Sequence, residues 1–134
     1  MSYKSILVYL DVDAPIYNVI RTAIHIAGCH EAKLIGLCAA DVALPLVGAE
    51  DASLAIEVWQ ETRDELSMRR FVQIREEFDR LSAGFPRTEW RQGLAAATSA
   101  IVDAARAADL VIMAASDNAF PADNYRHADS AGVV

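Results

Sequence analysis

The sequence predicts an α/β fold, an open parallel sheet with helices on both faces. Three observations carry this reading. Apolar runs of strand length occur at residues 6–10, 34–40 and 110–114, and unbroken runs of this kind suit strands covered on both faces. Helix-periodic segments separate them, and regular alternation of strand and helix leads through right-handed crossovers to a parallel sheet. The chain has 134 residues, 54% of them hydrophobic and 23% charged, which suits one domain over residues 1–134 and not a disordered chain.

Ile6-Leu7-Val8-Tyr9-Leu10 is the first strand. Asp13-Ala14-Pro15 follows as a cap-like acid and an early proline, opening a first helix marked by Ile16, Val19, Ile20, Ala23, Ile24 and Ala27 and ending near Gly28. Residues 32–40 form a second buried strand, whose Gly36 marks a close approach by another backbone or a ligand. Residues 42–51 contain Pro45 and Gly48 among apolar residues and read as a loop that packs. From 52 to 83 the period is helical: Leu54, Val58, Leu66, Phe71, Ile74, Phe78 and Leu81 lie near one stripe, and the pairs Glu65/Arg69 and Glu76/Arg80 lie off it. The stripe shifts phase near Ser67-Met68, where a bend or break is expected. Residues 88–92 read as an edge strand broken by Gly93, residues 94–108 as an alanine-rich helix, and residues 109–114 as another central strand. From Ser116 on the chain turns polar and turn-forming, so the last helix and strand of such a sheet are expected to be missing. A partner or further sequence is expected to cover residues 110–113.

Composition excludes several functions. A formal charge of −7 with no Lys/Arg cluster argues against nucleic acid, whose binding rests on neutralised phosphates. The first apolar run is short and interrupted by Asp11 and Asp13, unlike a signal segment or membrane span, so a cytoplasmic protein is expected. Cys29 and Cys38 lack metal-ligand spacing and read as buried or half-buried thiols. His25, His30 and His127 share no spacing for one metal and read as surface or cap residues. Trp59, Phe71 and Phe78 read as core or interface before they read as a ligand groove. No Ser-His-Asp order stands out, and neither a catalytic residue nor a metal site is assigned.

Several segments together resemble the universal stress protein family, from Lys4 to about Ala115. Lys4 through Asp11 looks like its first strand ending in an aspartate, and Leu34 through Asp41 like its second strand. Gln92-Gly93, the helix to Arg106 and Ala108-Asp109-Leu110-Val111-Ile112-Met113 resemble its third strand end, third helix and fourth strand. The resemblance implies a Rossmann-like five-strand sheet, usually dimeric, in proteins of the bacterial stress response. Some members hold ATP at the carboxyl ends of strands one and four. The corresponding positions here are Asp11, Val12, Ala39, Met113, Ala114 and Asp117.

The ATP-binding loop of that family reads Gly-x2-Gly-x9-Gly-Ser/Thr after strand four. Here Ala114 and Asp117 stand at its first two glycines, where a β-carbon restricts the backbone and a carboxylate repels phosphate. His127-Ala128-Asp129-Ser130 does not reproduce its end, although Gly132 is a candidate shifted remnant. ATP is therefore disfavoured, and the expected function is a non-catalytic dimerising module, a homodimer or the N-terminal half of a tandem protein. An ATP-binding stress protein is the alternative. Asp11 reads evenly as ligand-facing or structural, and Asp13 reads as a helix N-terminal acid. A phospho-acceptor receiver would need an aspartate where Gln92-Gly93 stands, and a flavodoxin-like carrier would need hydroxyls or glycines in Val12-Asp13-Ala14-Pro15.

Overall fold

The structure, a computed structural model, describes residues 3–48, 50–114, 126 and 128. In chain order they form β1 (Ser5–Tyr9), α1 (Tyr17–His30), β2 (Lys33–Ala40), α2 (Ala52–Glu65), a π-helical turn (Leu66–Arg70), α3 (Phe71–Leu81), β3 (Thr88–Leu94), α4 (Ala97–Ala105) and β4 (Leu110–Ile112). Every strand pair is parallel, and the order across the sheet is β3-β2-β1-β4. Helices cover both faces, as predicted.

The inner position of β1 and β2 explains why their sequences do not alternate. Ile6, Val8, Leu10, Leu34 and Cys38 pack in one core with Ile20 and Ala23 of α1 and Phe71 and Phe78 of α3. Leu7, Tyr9, Ile35 and Leu37 pack in a second core with Ala97, Ile101 and Ala104 of α4. Gly36 lies under two rings: a β-carbon there would meet Phe78 Cε2 and Cζ and Trp90 Cε3, each at 2.9 Å. The close approach predicted at this glycine is thus made by aromatic side chains.

Strand β3 is an edge strand, as expected, but it continues through Gly93 to Leu94, because Ala39↔Gly93 and Ala40↔Leu94 still pair. Strand β4 is the other edge among the described residues, and Leu110, Val111 and Ile112 are half-buried. Asp109 fixes its start, its Oδ2 accepting the N–H groups of Lys4 at 2.7 Å and Ser5 at 3.2 Å.

The long helical stretch divides where the phase shift predicted a break. Phe71 N–H donates to Leu66 O, five residues back. In an α-helix five residues would leave two side chains about 140° apart; the wider turn brings Leu66 and Phe71 into one core, each 1% exposed. Half-buried Ala52, Ala55, Trp59 and Thr62 form the inward side of α2. Leu54 and Val58, predicted to face the core, are exposed instead. The segment before α2 also departs from its predicted packing, since Leu44, Leu46 and Val47 are exposed. Arg80 pairs with Glu77 at 3.5 Å and not with Glu76.

Helix α1 runs past Gly28 to His30. Glu31 takes a left-handed conformation (φ 52°), and Ala32 N–H donates to Ala27 O at 2.9 Å, closing the helix with a Schellman-type bond.

Candidate functional site

From β1 the sheet grows through β2 to β3 on one side and to β4 on the other. Open α/β sheets bind ligands outside the carboxyl ends of the strands at such a reversal. The register Ile6↔Leu110, Leu7↔Val111, Val8↔Ile112 delivers the residues after β1 and β4 to that rim side by side.

Asp11 is half-buried there, and its Oδ1 accepts the N–H of Asp13 at 2.8 Å, an Asx-type turn. The Val12 side chain is 2% exposed, so Val12 offers its main chain, whose carbonyl accepts a hydrogen bond from Arg70 Nη2. Met113 is half-buried against the core beneath α4, and Ala114 is exposed. Ala39 lies one strand away in β2, buried, its carbonyl accepting the Tyr9 hydroxyl at 3.4 Å. Asp117 lies outside the described residues.

Asp13 is not the helix N-terminal acid that the sequence predicts. Pro15 precedes the helix: α1 starts at Tyr17 with Ile16 at its N-cap and no acid in its first turn. The Asp13 carboxylate meets two guanidinium groups. Arg126 reaches it through Nε and, at 2.8 Å, through Nη2, while Arg70 Nη2 lies 3.5 Å away. Arg70 ends the π-helical turn, which aims it at the tip of β1 from the α3 side. Its Nε is buried and lacks a hydrogen-bond partner among the described residues. A hollow of about 290 Å³ flanks this arginine, between Val12, Ile16, Gln73, Ile74 and Glu77. The rim is therefore polar and near charge balance.

Two ionisable groups lie beneath it. Burial, reinforced by the nearby Asp11 charge, pushes the Cys38 thiol up to about 12 against some lowering by Arg70. Burial likewise raises the Tyr9 hydroxyl, with Asp11 the next cause. Burial thus favours the protonated form of both near neutral pH. Cys29 is exposed, which corrects its predicted burial; its Sγ lies 3.9 Å from His25 Nε2 on the same side of α1. His30 packs edge-on against Tyr3 with ring centroids 4.8 Å apart, and His127 lies outside the described residues. Among the described residues no group of three or more His, Cys, Asp or Glu side chains is placed to hold a metal ion. No helix among them is long and apolar enough to cross a membrane.

A second polar cluster stands at the end of β2. Asp41 Oδ1 accepts Arg63 Nε and the N–H of Val42, each at 2.8 Å. Trp59 Nε1–H donates to the Val42 carbonyl at 2.8 Å, and the Arg63 guanidinium lies over the Trp59 ring, 4.7 Å from its centroid. These contacts tie α2 to the sheet. Phe71 and Phe78 are core residues, as expected, and Trp59 lies half-buried at the surface.

No family model matches the chain, and no curated protein matches it. Solved structures do. The universal stress protein UspA from Lactobacillus plantarum aligns with a TM-score of 0.58 and 22% identity, over 99% of this chain and 91% of that one. A universal stress protein family member from Burkholderia pseudomallei aligns with a TM-score of 0.55 and 20% identity, over 84% and 82%. A universal stress protein solved in complex with cAMP aligns with a TM-score of 0.52 and 23% identity, over 83% and 71%. The chain has the Rossmann-like fold of the universal stress proteins.

Proposed function

We propose that this chain is a cytoplasmic universal stress protein domain of the bacterial stress response that acts by assembly, without catalysis. The observation that carries the reading is the β4 edge. Leu110, Val111, Ile112 and Met113 are half-buried, and among the described residues β4 has one strand neighbour, β1. Apolar parallel strands belong inside sheets, and an open edge presents N–H and C=O groups to any strand that arrives. A second copy, or a second domain of the same kind in a tandem protein, is the partner that fits. Ala114 and Asp117 at the positions of phosphate-wrapping glycines support a role that needs no nucleotide.

Nucleotide binding at the carboxyl ends of β1 and β4 is the second reading. It is favoured by the solved neighbour that holds cAMP and by Asp11, Arg70 and Arg126 gathered at the sheet reversal.

Light scattering and calorimetry separate the two readings. The assembly reading expects a mass of two chains at micromolar concentration, reduced to one by Ile112→Lys with circular dichroism unchanged; a single-chain mass for the unmodified protein overturns it. Titration with ATP and Mg²⁺, and with cAMP, is expected to give no heat. Micromolar binding that Asp11→Ala weakens would move the function to the nucleotide.

A further inference from the structure

A second surface, built on α2 and the loop before it, has the form of a docking site. Leu54, Ile56 and Val58 of α2 are exposed, as are Leu44, Leu46 and Val47 before it, with Leu46 100% exposed. Single exposed apolar residues are ordinary, but Leu54 and Val58, one turn apart on the same side of α2 and beside a groove, mark an interaction surface. A groove of about 430 Å³ takes in Leu54 and Val58 of these residues, and Val42, Pro45, Ala55 and Trp59 complete its apolar lining. Its walls are held in place, since Trp59 is bonded to the Val42 carbonyl and Arg63 to Asp41.

Charge identifies the occupant. Residues 34–62 contain no Lys, Arg or His, and residues 41–65 contain seven carboxylates against one arginine, a balance of −6 within a chain of −7. Even that arginine, Arg63, is paired with Asp41. Glu57, Glu61 and Glu65 recur at four-residue spacing, all exposed, as a stripe beside Leu54 and Val58. Like charges at this spacing destabilise a helix, so the recurrence of Glu57, Glu61 and Glu65 is not explained by the stability of α2. A second copy related by a twofold axis would set acid against acid.

We propose that this groove docks an amphipathic helix of a partner protein, apolar on one face and flanked by lysine or arginine. The mode is helix-in-groove recognition: Leu54, Val58 and Trp59 supply the apolar floor, and the glutamate stripe steers and orients the basic flank. This goes beyond the assembly reading and uses a different set of residues.

The test is fluorescence anisotropy with a labelled Leu/Lys peptide of about eighteen residues, long enough to form a helix once bound. The full chain is expected to bind it with micromolar affinity that weakens with salt, and to ignore the matching Leu/Glu peptide. Leu54→Ser/Val58→Ser is expected to weaken binding at least about tenfold, while Val72→Ser on α3 leaves it unchanged. Glu57→Lys/Glu61→Lys/Glu65→Lys should lose the Leu/Lys peptide and gain the Leu/Glu one. Should a variant fail to fold, a nitroxide on the peptide reports on the unmodified protein, and broadening is expected at the amides of residues 42–62. Equal affinity for both peptides, an unchanged affinity of the Leu54/Val58 variant, or broadening centred elsewhere would overturn the proposal. So would a dimer that the same variant dissociates, since the groove would then belong to a second copy.

Discussion

Replacing Gly36 by alanine puts the packing of the central sheet to a quantitative test. The new β-carbon would lie 2.9 Å from two atoms of the Phe78 ring and one of the Trp90 ring, where carbon atoms prefer about 3.5–4.0 Å. Phe78 is 1% exposed, and its ring is in turn 5.3 Å from that of Trp90, so neither ring yields without moving the other. Overpacking of this kind costs about 1–3 kcal/mol. Against it, Gly36 has no positive φ, so alanine adopts the same backbone and recovers roughly 0.5–1 kcal/mol of the entropy that glycine loses on folding. The balance is a destabilisation of about 0.5–2 kcal/mol, lowering the urea midpoint by roughly 0.25–1 M at an m-value of about 2 kcal/mol/M. Phe78→Leu makes room for the methyl group, so the double variant should be more stable than the sum of the single effects by at least about 0.5 kcal/mol. A Gly36→Ala protein as stable as the parent, or strict additivity with Phe78→Leu, would refute the reasoning.

Two further outcomes follow from groups already described. The Cys38 thiol has its value raised from 9.0 to about 12 by folding, so above pH 9 the unfolded chain releases a proton that the folded one keeps. Stability is therefore intact below pH 9 and lost as pH rises toward 12, with a slope of up to about 1.4 kcal/mol per pH unit from this group and a further loss from Tyr9. Urea midpoints from pH 8 to 11 should fall, and Cys38→Ala should flatten the fall; an equal slope in the variant contradicts the assignment. Glu31→Gly should raise stability by about 0.5–1 kcal/mol, because a left-handed conformation costs about 1–2 kcal/mol for a residue with a β-carbon and nothing for glycine, less glycine's own chain entropy. Thermal unfolding checks it, and a lower midpoint rules it out.

The parts of the fold legible in the sequence are those set by burial. Residues 6–10 and 34–40 are apolar throughout because both faces of β1 and β2 are covered, and a pattern with no alternation is itself a signal. The phase shift near Ser67-Met68 likewise showed that one helix could not serve the whole of 52–83. Which side of α2 would face the sheet was not legible, because that depends on a five-residue hydrogen bond from Phe71 to Leu66 and not on side-chain period. Leu54 and Val58 were misassigned for that reason. At the rim, the rule that strand ends face ligands picks out Asp11 as a candidate, whereas nothing in the sequence points to Arg70 and Arg126. They meet the β1 tip from 58 and 113 residues away in sequence, and no local pattern encodes such a meeting. Trp59 was noted as an aromatic, but its bond to Val42 has no sequence signature.

The π-helical turn between α2 and α3 makes the two helices separately tunable. Each residue added to or removed from an α-helix rotates everything beyond it by about 100°, so an uninterrupted helix could not turn its outer surface without also unseating Phe71, Ile74 and Phe78 from the core. With Leu66–Arg70 wound more loosely, the phase of α2 is offset from that of α3, whose Phe71, Ile74 and Phe78 stay on the core. The face that α2 turns outward and the face that α3 buries are thus set on either side of one wider turn.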